Sequence, residues 1–182
     1  MRKTLAWICR WGMIGAMLAA GCSTAPRTAA GQAQLSQRTQ EAIQVAQKAD
    51  PGLWKLLQSA AGVAVFPSVT KSGLGLGGSY GRGELFEGGR LTGFCTLTQA
   101  SLGLELGGQT YTELIFFETQ AAVNRFKSGH FGLAARTWAV ALKSGAVART
   151  PYTDGIAVFS MTEAGLVYEA AIGGQKFSFQ PL

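Results

Sequence analysis

Between Gly62 and Gly107 the chain alternates large apolar residues with glycine. Leu74 and Leu76 stand against Gly75 and Gly77, and Leu102, Leu104 and Leu106 against Gly103, Glu105 and Gly107. A period of two puts one set of side chains on each face of a β-strand. One face of the predicted sheet is therefore apolar and the other nearly free of side chains. Glycine permits bulges and sharp bends where a side chain would clash. The expected fold is accordingly α+β: a strongly curved glycine-rich antiparallel sheet, or a small barrel-like sheet, with a few packed helices.

The rest of the chain fits that frame. Val63-Ala64-Val65-Phe66-Pro67 reads as a short strand closed by proline, and Glu87-Gly88-Gly89-Arg90 as a hairpin turn that needs positive backbone angles. Tyr111 to Phe117 extends the sheet, and Phe131 to Leu142 reads as a further strand. Leu35, Thr39, Ala42, Ile43 and Ala46 share one face of a helix predicted over 35–48. Asp50-Pro51 is a boundary, followed by a short helix to about Ala60. On that helix Trp54 with Lys55 suits either an interfacial anchor or core packing. Thr119 caps a helix over 120–127 with Ala122, Val123 and Phe126 inward. Gly62-Val63-Ala64-Val65-Phe66 is echoed by Gly155-Ile156-Ala157-Val158-Phe159, each leading into a glycine-containing hairpin. Leu76-Gly77-Gly78-Ser79-Tyr80 is likewise echoed by Leu106-Gly107-Gly108-Gln109-Thr110-Tyr111, and the repeats are too few and too irregular for a solenoid.

The amino terminus reads as an address. Met1-Arg2-Lys3 is basic, Leu5 to Ala20 is mostly apolar, and the run is short and broken by Arg10, which fits a secretory signal better than a spanning helix. Leu18-Ala19-Ala20-Gly21-Cys22 resembles a bacterial lipobox, which implies that Cys22 is acylated and begins the mature chain. Residues 1–21 are then the signal peptide, 22–34 the acylated cysteine and a flexible tether, and 35–182 a single domain. Ser23 and Thr24 after the cysteine resemble the sorting pattern for the periplasmic face of the outer membrane. A secreted or periplasmic protein cleaved near Ala20 is the alternative.

Loss of Arg2, Lys3 and Arg10 lowers the formal charge from +6 to +3, with the remaining cations dispersed. No basic run or basic helix marks a nucleic-acid interface. With Cys22 acylated, Cys95 has no partner for a disulfide and reads as a buried packing residue. Gly73-Leu74-Gly75-Leu76-Gly77-Gly78 satisfies the spacing of a dinucleotide fingerprint, but Ser79-Tyr80-Gly81-Arg82-Gly83 is a poor helix opening. His130, the sole histidine, has no ligand-spaced companion for a metal. Glu84, Glu87, Glu105 and Glu113 are the acids that a glycosidase-like pair would draw on, and their spacing marks no two of them. Arg82 is the candidate structural ion-pair partner of Glu105. A non-catalytic protein without a cofactor is expected.

Gly62-Val63-Ala64-Val65-Phe66-Pro67, Lys71-Ser72-Gly73-Leu74-Gly75-Leu76-Gly77-Gly78-Ser79-Tyr80-Gly81 and Gly107-Gly108-Gln109-Thr110-Tyr111-Thr112-Glu113 together resemble the SYLF, or Ysc84-like, domain family over roughly residues 35–177. That resemblance implies a lipid-binding module in the bacterial envelope, contacting anionic headgroups or an acyl chain. Membrane phospholipid is then the partner, and a periplasmic address sits poorly with actin, the eukaryotic partner. By the same resemblance the nearest equivalents of the family's membrane-contacting residues are Arg38, Lys48, Trp54, Lys55 and Lys71. An envelope scaffold or protein-interaction lipoprotein, touching lipid only through Cys22, is the alternative.

Overall fold

The computed structural model describes residues 24–103, 109–129, 132–133, 139–141, 152–162, 165–169 and 174–182. The signal segment, Cys22, Glu105, His130 and most of the strand expected over Phe131 to Leu142 lie outside them. The described elements are α1 (Ala29–Ala49), α2 (Leu53–Ser59), β1 (Gly62–Glu87), β2 (Arg90–Gly103), β3 (Gln109–Phe117), α3 (Gln120–Lys127), β4 (Gly132–Leu133), β5 (Ala139–Ala141), β6 (Ile156–Thr162), β7 (Gly165–Glu169) and β8 (Gln175–Pro181).

The strands form one antiparallel sheet in the order β4-β8-β2-β1-β3-β6-β7-β5. This corrects the strongly curved or barrel-like sheet expected from the glycines. Among the described residues β4 and β5 end the two edges and do not pair with each other, so the ladder stays open. Glycine removes a steric obstacle to bending, but a closed sheet also needs a strand register that brings its edges together.

β1 holds the sheet's centre. Its residues 62–71 pair with β3 and residues 75–87 with β2. The two arms also touch each other: a β-carbon on Gly83 would stand 2.3 Å from the Val65 carbonyl oxygen and 2.7 Å from the Phe66 ring. Eighteen residues of straight strand would separate Val65 from Gly83 by about 60 Å. β1 therefore bends back on itself, a feature local to this strand, while the two edges of the ladder stay unpaired. Pro67 does not close the first arm as expected; the ladder skips a register between Phe66 and Val69, and the Thr112 hydroxyl donates to the Pro67 carbonyl at 3.0 Å. A bulge is where a strand tolerates a residue without an N–H. Gly88 and Gly89, at φ +55° and +76°, make the predicted turn into β2.

Both faces of the sheet are covered. Ala42 and Ala46 of α1 and Leu53 and Leu56 of α2 pack on Val65, Phe116 and their neighbours. α3 packs Val123 and Phe126 against Phe117, Phe66 and Phe177 on the opposite face, with Phe117–Phe126 centroids 5.0 Å apart. The inward stripe of α1 is the predicted one, with Leu35, Thr39, Ala42 and Ala46 buried. Its start is not. Residues 29–34, read as tether, are helical, because Thr28 caps the helix by accepting from the Gly31 N–H and alanine and glutamine propagate it well. Upstream, Ala25 is buried with Leu35 and Phe94, and its N–H donates to Gln180 Oε1 at 3.1 Å.

Candidate functional site

Four of the residues singled out for membrane contact lie on α1 and α2, away from the sheet. Arg38, Lys48, Trp54 and Lys55 are all exposed there. On α2 the inward stripe is Leu53 and Leu56, so position 54, about 100° around the helix from Leu53, points away from the sheet. Trp54 is 55% exposed and is not a core residue. On α1, Arg38, Glu41, Val45 and Lys48 follow helical spacing along the solvent side, and Val45 is 49% exposed. Gln37 donates to Glu41 at 2.9 Å. The exposed residues of the two helices thus include Arg38, Lys48 and Lys55 against Glu41, together with Val45 and Trp54.

Lys71 is not part of that surface. It lies two residues beyond Val69 on the first arm of β1, opposite Gln109, and alternation places it on the α3 side of the sheet, half-buried. Arg82 sits with its guanidinium carbon 5.9 Å from the Tyr80 ring centroid, a cation–π arrangement. Its proposed partner Glu105 is outside the described residues. Sequence reasoning named no role for Tyr80, which is 42% exposed beside Arg82.

The described acids among the four candidates for a catalytic pair are dispersed. Glu84 is buried on the α1 side, where Ser36 donates to its Oε1 at 2.5 Å. Burial pushes its carboxyl above the usual range, against the Ser36 and Thr39 hydroxyls, which pull it down. Glu113 is buried on the α3 side, in line with Ile115 and Phe117, and accepts from Gln175 Nε2 at 3.0 Å. Glu87, at the β1–β2 turn, pairs with Lys127 and accepts from Thr92 and Gln120. A sheet thus separates Glu84 from Glu113, and Glu87 is committed to α3. Neither burial was legible in sequence, because alternation assigns a face without saying which helix covers it.

Cys95 is buried and unpaired, in keeping with its reading as a packing residue; burial, reinforced by the nearby Glu84 charge, holds its thiol well above the ordinary range. Across the dinucleotide-like glycines the chain stays in β1 through Glu87, where a nucleotide site would need a helix. Among the described residues no group of three or more His, Cys, Asp or Glu is placed to hold a metal ion, and no helix is long and apolar enough to cross a membrane.

No protein-family model matches the chain. Over 130 residues, 70% of its length, it is 31% identical to a protein of Aeromonas veronii named beta cell expansion factor A. That stretch amounts to 49% of the relative, so the chain spans about half the length of the curated relative it matches.

Proposed function

We propose that this protein is a non-catalytic lipid-binding module of the bacterial envelope, held at a membrane by an acylated Cys22 and resting on anionic headgroups through the outer face of α1 and α2. The observation that carries the reading is Trp54, left 55% exposed on a helix whose adjacent Leu53 is fully buried. Burying a large apolar side chain is worth about 1.5–3 kcal/mol. A tryptophan that forgoes this, beside Lys55 and on the same layer as Arg38 and Lys48, has the composition of a membrane-interface contact. The resemblance of the glycine-rich segments to SYLF domains supports the same reading.

The test uses residues 23–182, which lack Cys22, so that acylation contributes nothing. We expect sedimentation with vesicles containing phosphatidylglycerol, weakening with salt as surface electrostatics requires. Trp54→Ala should reduce the bound fraction several-fold while leaving stability within about 0.5 kcal/mol, as expected of an exposed position. Pellets no richer in protein with vesicles than without them would refute intrinsic lipid binding. Envelope crosslinking to one stoichiometric protein, together with that result, would favour the scaffold alternative.

A further inference from the structure

Beneath α1 the sheet carries a single described carboxyl. Glu84 lies in the second arm of β1 opposite Phe94 and is fully buried. Ser36 of α1 donates to its Oε1. Thr39, three residues further along the helix, is also fully buried, and its hydroxyl faces the same carboxyl. Yet neither Thr39 Oγ1 nor Glu84 Oε2 completes a hydrogen bond. Leaving such groups buried and unsatisfied costs about 1–3 kcal/mol each, more for a charged one.

A proton removes the charge that burial disfavours. Taken up from solvent on Oε2, it neutralises the carboxylate and supplies an O–H that the Thr39 oxygen can accept. Among the described residues, burial and the Ser36 and Thr39 hydroxyls set the carboxyl's proton affinity, with no cation among the causes. On α1, Arg38 and Glu41 point to solvent. β2 brings Phe94, and Cys95 beside it packs on the other face with its thiol kept neutral by burial. Elsewhere α1 is held by Leu35, packed with Ala25 and Phe94, by Ile43, and by the single methyls of Ala42 and Ala46.

We propose that Ser36, Thr39 and Glu84 form a proton-operated latch, which docks α1 on the sheet when the carboxyl is neutral and loosens the helix when it is charged. The direction follows from linkage. Docking raises the carboxyl's proton affinity, so docking is strongest below the ordinary carboxylate pKa, weakens as pH rises through the docked value, and then levels off. The latch does not depend on the membrane reading, although it bears on it because Arg38 and Lys48 ride on α1.

Backbone hydrogen exchange of the full chain tests this, with rates corrected for intrinsic pH dependence between about pH 5 and about pH 8 and β3 amides as the internal reference. Protection of the Ala42–Ala46 amides should fall as pH rises, by about tenfold for each unit by which docking raises the pKa, while β3 stays level. Glu84→Gln mimics the protonated acid: its carbonyl accepts from Ser36 and its amide donates to Thr39, so its profile should be flat and as protected as the parent's acid limit. A ¹³C titration of the parent's Glu84 carboxyl, tracking the α1 protection curve, carries the test even if the variant does not fold. A flat parent profile, or an equal slope in Glu84→Gln, would overturn the latch.

Discussion

Gly83 has no room for a side chain. Its β-carbon would meet a carbonyl oxygen at 2.3 Å and a phenylalanine ring at 2.7 Å, both fixed by the fold of β1. Gly83→Ala should therefore destabilise the domain by about 1–3 kcal/mol, the usual cost of overpacking, read as a lower urea midpoint at unchanged slope. An unaltered midpoint would mean that the arms of β1 part freely. Glu87 gives a pH-dependent counterpart. Burial alone would raise its pKa, but the bonds from Lys127, Gln120 and Thr92, with the Lys127 charge, bring it below the ordinary value. A depressed carboxylate contributes stability above its unfolded pKa and loses it as pH falls through the folded one. Lys127→Met should accordingly be less stable than the parent at neutral pH, and thermal melts should show the difference shrinking in acid.

At the scale of elements, the sequence echo acquires a geometric meaning. The first arm of β1 and β6 flank β3, with Gly62 and Ile156 both opposite Phe117. In sequence, however, Gly62 aligns with Gly155. That one-residue offset turns matching residues to opposite faces: Phe66 packs on the α3 side and Phe159 on the α1 side. Two similar apolar runs thus serve two different cores. α3 depends on its cap as well as its packing, with Thr119 accepting from the Ala122 N–H at 3.2 Å and Arg125 donating to the Asp154 carbonyl at 2.9 Å. Thr119→Ala should cost about 1 kcal/mol, detected by chemical denaturation. Equal stability of that variant would show packing alone to hold the helix.

The whole molecule is a sheet with a core on each side, and adjacent residues of β3 separate them. Phe116 and Phe117 are both fully buried, the first in the α1–α2 core and the second in the α3 core. Replacing either with alanine should cost about 3–5 kcal/mol. The local consequences should differ, with hydrogen exchange accelerating in α1 and α2 for Phe116→Ala and in α3 for Phe117→Ala. Uniform acceleration in both variants would mean that the two cores open as one unit.

What residues dictate locally was readable in the chain: the Gly88-Gly89 turn, the Thr119 cap, the inward stripe of α1 and the burial of Cys95. Each depends on a few neighbours and on backbone stereochemistry. Alternation likewise announced the strands, but not whether their sheet would close, since closure rests on pairings between distant segments. The same limit applies to chemistry. Sequence listed Arg38, Lys48, Trp54, Lys55 and Lys71 as one group and Glu84 among four equivalent acids. Only tertiary structure set Lys71 apart on the other side of the sheet, left Trp54 in solvent, and placed Glu84 under α1 beside Ser36 and Thr39. Exposure and desolvation are properties of what packs over a residue, and for Glu84 that cover comes from a helix 48 residues away along the chain.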